Sequence, residues 1–243
     1  MKRGSEESDD SQPLTVVVTG GSAGIGLAIA KKQLSMGDNV FICGRNKERL
    51  EEALLSLAEP SNAARLDGAA CDVRDLDSVN QMVSAATARF GGIDVLINNA
   101  GIGYVVPFEE MTPKLWHDII DTNLTGVFNC CYAALPWLKK SNHADIINLG
   151  SRAGRYSFAG GTGYNTTKSG LQGFTEALFL DLNKHGISTC LVAPGIVATE
   201  LTDTDPKEWH LQPSDVAQVV SDVISASHRT SINWVELRPA RPR

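Results

Sequence analysis

The chain has 243 residues, of which 42% are apolar and 21% charged, and its formal net charge is −6. This length suits one α/β domain better than two small ones, and a mildly acidic chain lacks the basic face that nucleic-acid binding requires. No apolar run approaches the length of a bilayer span, and the acidic start MKRGSEESDDSQP contains no apolar secretory stretch. We therefore expect a cytoplasmic protein without nucleic-acid or membrane partners, in which residues 1–12 form a disordered tail.

Cysteine and histidine spacing argues against a metal site. None of the five cysteines forms a CxxC pair, and the five histidines are scattered along the chain without ligand spacing. Four of the cysteines lie in apolar segments and the fifth ends one. We predict small buried thiols in a reducing compartment rather than a disulfide or a bound metal ion.

Short β-branched runs alternate along the chain with longer segments of helical apolar spacing. The runs predict strands over residues 14–18, 39–43, 66–71, 93–98, 145–149, 187–193 and 231–237. The intervening segments predict helices over residues 25–36, 47–58, 75–90, 112–140, 163–185 and 214–226. Seven strands that alternate with helices indicate a parallel sheet covered on both faces. With right-handed crossovers, residues 13–243 form one doubly wound, Rossmann-type α/β domain.

A glycine-rich turn, TGGSAGIG at 19–26, follows the first strand. Gly20 allows the tight turn off the strand, Gly24 allows a phosphate to approach the backbone, and Gly26 allows the helix to pack closely on the strand. The free N–H groups of the helix N-terminus favour a pyrophosphate. An ordinary strand–helix turn is the alternative, but the strand, the helix and their positions all favour a dinucleotide site.

The end of the second strand bears on the choice of dinucleotide. A carboxylate there would bind the adenosine ribose hydroxyl of NAD, but the chain has Gly44 at that position, followed by Arg45. A guanidinium pairs with a 2′-phosphate, and Ser22 and Asn46 supply neutral hydrogen bonds. We predict NADP(H) in preference to NAD(H); the alternative is that Arg45 is a solvated residue at a helix start.

Tyr164 and Lys168 lie four residues apart near the start of a predicted helix, hence on one face and one turn apart. A lysine ammonium favours the phenolate and is expected to lower the tyrosine pKa, so that the phenol exchanges a proton with a substrate oxygen while hydride moves at carbon. Ser151, at the end of a strand, has a hydroxyl that stabilises charge on that oxygen. The alternative for Tyr164 and Lys168 is that they are surface residues of a helix. The alternative for Ser151 is that it caps the end of a strand.

Together these motifs resemble the short-chain dehydrogenase/reductase family over residues 13–243. The resemblance rests on the GxxxGxG turn, on NNAG at 98–101, on YxxxK at 164–168 and on a serine thirteen residues before the tyrosine.

The resemblance implies roles for further residues. Asp72 would hydrogen-bond the adenine, and Asn123 would hold a water that relays protons to Lys168. Pro194 and Gly195 would form a turn beside the nicotinamide. The other positions implied to contact the cofactor are Ile25, Val73, Asn99, Ala100, Gly101, Val197 and Thr199.

We expect an oxidoreductase that transfers hydride between NADP(H) and a carbonyl or secondary alcohol, in the reductive direction. The alternatives are a redox sensor that binds NAD(P) without turnover, and an epimerase or dehydratase on the same scaffold. Tyr156, Phe158 and Trp209 suggest an apolar or ring-bearing small-molecule substrate.

Family members that reduce 3-oxoacyl thioesters often end in a VDGG-like strand, whereas this chain ends in WVELRPARPR. The difference puts acyl-carrier-protein substrates in doubt. The basic end suggests contact with a neighbouring subunit or an acidic substrate, although solvated charge is the favoured interpretation.

The family commonly assembles through the two helices at 112–140 and 163–185. Broad apolar faces on these helices, which include Leu171, Phe174, Leu178 and Leu180, predict a homo-oligomer, a dimer or a tetramer.

Overall fold

The computed structural model describes residues 12–200, 207–227 and 229–240. Seven strands form one sheet: β1 Thr15–Thr19, β2 Asn39–Gly44, β3 Leu66–Ala70, β4 Val95–Asn98, β5 Ala144–Leu149, β6 Ile187–Pro194 and β7 Trp234–Leu237. The helices are α1 Gly24–Met36, α2 Lys47–Leu57, α3 Leu76–Phe90, α4 Pro113–Ile120, α5 Gly126–Leu138, α6 Thr162–Leu182 and α7 Pro213–Ile224. The expected tail at residues 1–12 lies, but for its last residue, outside the described residues.

All seven strands are parallel, in the order β3-β2-β1-β4-β5-β6-β7. The chain leaves β1 toward β2 and β3, and then returns to place β4 on the other side of β1. Such a reversal opens a crevice at the carboxyl ends of β1 and β4, where ligands bind in open parallel sheets. The structure confirms the predicted doubly wound α/β fold.

Each face of the sheet packs against its own set of helices. In β1, Val16 and Val18 point to a core closed by α1, α2 and α7. Val17 points to the opposite core, closed by α3, α5 and α6, because successive side chains of a strand alternate between its faces. Burial on both faces explains why the central strands are continuously apolar.

Helix boundaries follow local chemistry. α1 ends at Gly37, whose φ of 99° supplies the left-handed residue that a helix end favours. The segment predicted as one helix over 112–140 is interrupted: a π-helical turn, Asp121–Thr125, separates α4 from α5. An extra residue in the turn has no periodic signature, so the sequence pattern did not show it. π-Turns of this kind often mark functional sites.

All five cysteines are buried and carry free thiols, which confirms the prediction of small buried side chains. In the described parts of the chain, no helix combines the length and the apolar composition that a membrane crossing requires.

Candidate active site

A cavity of about 140 Å³ lies at the carboxyl edge of the sheet, where β1, β4, β5 and β6 end. It brings together residues that are far apart in the sequence. Its lining includes Ile25, Asn99, Gly101, Ser151, Tyr164, Lys168, Pro194, Gly195, Val197 and Thr199. The fold therefore collects Ser151, Tyr164 and Lys168 and the predicted nicotinamide-side contacts in one place, whereas Asn123 does not line the cavity.

The glycine turn is shaped as the sequence predicted. Gly20 and Gly24 have φ values of 63° and 52°, in the left-handed region that favours glycine. A Cβ on Gly26 would lie 2.3 Å from the Gly20 carbonyl oxygen, so α1 packs on the turn more closely than any side chain permits. Gly24 faces Thr199, whose Cγ2 lies 3.4 Å from the position of a Cβ. The turn is thus an open cradle of backbone suited to a pyrophosphate.

Thr19 and Asn99 lock this turn to the end of β4. The Thr19 hydroxyl accepts hydrogen bonds from the backbone N–H groups of Asn99 and Ala100, at 3.0 and 3.1 Å. The Asn99 side-chain amide in turn donates to the carbonyl oxygens of Thr19 and Gly20, both at 3.0 Å. The cofactor contact predicted for Asn99 remains a prediction, and in the structure its side chain holds the glycine turn in position.

Ser151, Tyr164 and Lys168 converge on the cavity from two elements. Ser151 lies two residues after β5 and caps a short 3₁₀ turn, accepting a hydrogen bond from Ala153 N at 3.1 Å. Lys168 Nζ lies 5.7 Å from the Tyr164 ring centroid, which agrees with the predicted one-turn spacing. The ammonium donates to the Leu149 carbonyl oxygen at 2.7 Å. This carbonyl was missed from the sequence, because a backbone acceptor leaves no trace in residue identity.

Burial is the main cause of the pKa shifts of both Tyr164 and Lys168. The Lys168 ammonium does not set the direction of the Tyr164 shift. Burial raises the pKa of Tyr164, and a hydrogen bond with Ser151 offsets only part of the rise. Burial also lowers the pKa of Lys168 to about 8, because transfer out of water disfavours the charged form. The predicted lowering of the Tyr164 pKa is therefore wrong for this structure. A phenol that keeps its proton is suited to protonating a substrate oxygen.

Asn123 occupies the π-helical turn and is 1% exposed. Its amide nitrogen donates to the Ile102 carbonyl oxygen at 2.8 Å and to the Thr167 hydroxyl at 3.1 Å, and its oxygen accepts from Ile102 N at 2.9 Å. These bonds tie the strand end after β4 to α6, next to Lys168. The proton-relay role that the family resemblance implies remains a prediction.

The adenosine end of the crevice lies at the end of β2. A Cβ on Gly44 would lie 2.8 Å from Ser22 Oγ, so the missing side chain leaves room for the serine hydroxyl. Arg45 is exposed and near enough to lower the pKa of Asp72 by its charge. Asn46 accepts a hydrogen bond from Arg49 N at 2.7 Å and so caps α2, which commits its oxygen to the helix.

Asp72 and Val73 lie after β3. The Asp72 carboxylate pairs with Arg74 at 2.6 Å, and this partner holds the pKa of Asp72 below its usual range. Asp72 does not cap α3, which instead uses Asp75. The Val73 side chain is buried in the core, so the cofactor contact predicted for it would have to come from its backbone. Both assignments remain predictions.

The turn after β6 closes the other side of the cavity. Gly195 N donates to the Leu237 carbonyl oxygen at 2.8 Å, which fixes the turn against β7. Val197 is buried against the core on the α1 side and bridges to Leu211. The family resemblance also implies a substrate lid over residues 200–212, of which 201–206 lie outside the described residues.

Comparison with known proteins agrees with this geometry. The family model described as short chain dehydrogenase matches residues 14–209. A putative ketoacyl reductase of Streptomyces coelicolor is 34% identical, over 86% of this chain and 88% of its own. A 3alpha-hydroxysteroid dehydrogenase of Mediterraneibacter gnavus is also 34% identical, over 79% of this chain and 76% of its own.

Solved structures show the same fold. Serine dehydrogenase from Escherichia coli superposes with a TM-score of 0.82 at 32% identity, over 92% of this chain and 97% of its own. An alcohol dehydrogenase of Thermococcus sibiricus, solved with 5-hydroxy-NADP, has a TM-score of 0.87 at 27% identity, over 96% of this chain and all of its own. The chain belongs to the short-chain dehydrogenase family, and it is an oxidoreductase.

Proposed function

We propose that this protein reduces a carbonyl compound to a secondary alcohol at the expense of NADPH, with Tyr164 as the proton donor. The observation that carries the proposal is the meeting of Ser151, Tyr164 and Lys168 in one cavity with the strand ends beside the glycine turn. Bound nicotinamide supplies the hydride, which the chain itself cannot provide.

Ser151, Tyr164 and Lys168 have separate roles at the substrate oxygen. The Ser151 and Tyr164 hydroxyls hold the substrate oxygen, and Tyr164 gives it a proton as negative charge develops there. Lys168, held by the Leu149 carbonyl, keeps a positive charge below a pH of about 8 and favours that developing charge. Burial raises the pKa of Tyr164, so the phenol keeps the proton that the reductive step needs.

The open glycine turn and the end of β2 support NADP(H) as the cofactor. The space at Gly26 and Gly44 would be lost to any side chain, and no carboxylate at the end of β2 is present to select NAD. In this proposal Arg45 and Ser22 bind the 2′-phosphate. Relatives solved with NADP, including a closed form of serine dehydrogenase, agree with this choice.

The test is NADPH oxidation by the purified protein with a panel of aldehydes and ketones. Tyr164→Phe keeps the ring and removes the proton donor, and we expect turnover to fall by about 10³-fold. Tyr132→Phe, on an exposed tyrosine of α5, is the matched control. Unchanged turnover in Tyr164→Phe would overturn the mechanism.

The same assay separates the other functions that the sequence leaves open. A redox sensor would bind NADP(H) tightly and turn over no substrate. An epimerase or dehydratase would convert substrate without net consumption of NADPH, which product analysis would reveal.

We also propose a homo-oligomer built on α5 and α6. Phe128 and Tyr132 stack with ring centroids 5.9 Å apart on the outer surface of α5, and each is at least half exposed. Leu180 on α6 is 71% exposed, whereas Leu171 is buried in the monomer core and so cannot contribute to an interface. Light scattering at micromolar concentration would show a dimer or tetramer, and a monomer would refute the proposal.

A further inference from the structure

Three arginines gather beside Ser151, on the side of the site toward β7. Arg152 directly follows Ser151, Arg155 ends the same short turn, and Arg238 follows β7. Parallel pairing of β6 with β7 aligns Leu237 with Pro194. Pro194 lines the cavity, so the residue after Leu237 lies at the same edge of the sheet as the candidate active site.

Tyr156 organises two of these guanidinium groups. The guanidinium carbon of Arg152 lies 4.8 Å from the Tyr156 ring centroid, and that of Arg238 lies 5.7 Å from it. An Arg238 nitrogen also donates a hydrogen bond to the Tyr156 hydroxyl at 3.3 Å. Guanidinium groups held against an aromatic ring lose less freedom when they bind a ligand, because their orientation is already restricted.

The cluster carries surplus positive charge. A Glu236 carboxylate oxygen lies 3.2 Å from Arg152 Nε and also contacts Arg238 Nε. Over the described ranges of the chain, Glu236 is the only carboxylate in ion-pair contact with either arginine. Two cations therefore share one anion, whereas the Arg155 guanidinium stacks on Trp234 instead of Tyr156, with its carbon 3.9 Å from the Trp234 ring centroid.

Arg152 connects this cluster to the cavity. Its Cδ lies 3.5 Å from the position of a Cβ on Gly195, and Gly195 and Ser151 both line the cavity. The side chains of Arg152 and Arg238 are 33% and 56% exposed, so solutes reach both. The planar fork of N–H donors on arginine matches the two oxygens of a carboxylate.

We propose that Arg152, Arg238 and the Tyr156 hydroxyl bind a carboxylate of the substrate, while Ser151 and Tyr164 hold its carbonyl oxygen. The substrate class is then an oxo acid, rather than the apolar or ring-bearing compound suggested by the aromatic residues. In this interpretation Tyr156 orients two arginines, and its hydroxyl donates a hydrogen bond to the substrate carboxylate. The inference rests on the proposed function, because it concerns the substrate of that same site.

The experiment compares acids with their uncharged esters. Acetoacetate, 4-oxopentanoate and 5-oxohexanoate place the carboxylate at increasing distance from the carbonyl, and each is assayed with NADPH beside its methyl ester. We expect kcat/KM to favour at least one acid over its ester by about tenfold or more. Arg152→Gln and Arg238→Gln should each lower that acid-to-ester ratio by about tenfold.

Arg155→Gln is the matched control, since it removes the same charge from the same turn but from a side chain stacked on Trp234. Its ratio should stay within about twofold of the original, given the weak effect of screened, exposed charges. A ratio near one for all three pairs overturns the inference, as does a preference that survives both Arg152→Gln and Arg238→Gln or falls equally in Arg155→Gln. Reduction of neutral carbonyls but of none of the acids overturns it while the proposed function stands. Failure of the whole carbonyl panel overturns both.

Discussion

The two edges of the parallel sheet use polar residues in opposite ways. At the carboxyl edge, Ser151, Tyr164 and Lys168 line a cavity, and of their side chains only Lys168 donates a hydrogen bond to the backbone, at the Leu149 carbonyl oxygen. At the amino edge, Asp38 accepts a hydrogen bond at 3.1 Å from Leu14 N, just before β1, and Asp94 accepts one at 2.8 Å from Thr15 N, the first N–H group of β1. One edge keeps its reactive groups available, whereas the other uses them to hold the strands in register.

The larger of the two cavities is not the one that contains the reactive side chains. A cavity of about 870 Å³ lies at the amino edge, against about 140 Å³ at the carboxyl edge. The larger one is bordered by carboxylates already hydrogen-bonded to the chain, while the smaller contains the tyrosine, lysine and serine. Chemistry therefore identifies the site better than volume, and substitutions at the two edges should separate activity from stability.

The largest effect is expected at Lys168. Lys168→Met removes the buried ammonium beside Tyr164 and should lower kcat for carbonyl reduction by about 10³-fold. Stability should change little, because the relief of a buried charge offsets the loss of the donor to the Leu149 carbonyl oxygen. Steady-state NADPH oxidation and thermal unfolding measure the two effects. A Lys168→Met protein that loses both activity and stability would contradict the inference that the carboxyl edge serves activity and the amino edge serves stability.

The reverse result is expected at Asp94. Asp94→Ala leaves Thr15 N without its acceptor, removes one of the two acceptors of the Ser141 hydroxyl, and should cost about 2 kcal/mol of unfolding free energy. The kcat for reduction should not change, since the site lies at the other edge. Denaturant unfolding measures the loss, with Asp181→Asn, an exposed residue of α6, as the control. A fully stable Asp94→Ala protein would show that the amino edge does not depend on this carboxylate.

A smaller effect tests the adenosine end of the carboxyl edge. Arg45→Ala should raise KM for NADPH about tenfold more than KM for NADH, because the 2′-phosphate loses a charge-assisted contact. Arg89→Ala, whose ion pair with Asp67 lies away from the crevice, is the control. Equal changes for both cofactors would remove Arg45 from the proposed cofactor site.

The smallest effect concerns His143 at the amino edge. The Asp145 carboxylate, 3.0 Å away, raises the pKa of His143 in the folded protein. A raised folded-state pKa gives stability that is fully present below the unfolded pKa of about 6.5 and is lost as the pH rises through the folded value. The Tm advantage of the unchanged protein over His143→Gln should therefore be about 2 °C greater at pH 5.5 than at pH 9. An advantage that does not vary with pH would show that this ion pair does not contribute.

The sequence by itself determined the alternation of strands and helices, the glycine turn and the identity of the reactive side chains. These features depend on local periodicity and on residue types that are needed at fixed spacing, such as glycine at positive φ and a tyrosine one helical turn from a lysine. Family membership followed from the same motifs.

Tertiary structure decided what depends on residues distant in the sequence. Burial reversed the expected direction of the Tyr164 pKa, and the Leu149 carbonyl became the partner of Lys168 only when β5 and α6 packed together. The π-helical turn at Asn123 and the meeting of Arg152 with Arg238 likewise depend on contacts between separate elements. Solvation and charge pairing depend on what surrounds a group in space, and a linear pattern does not contain that information.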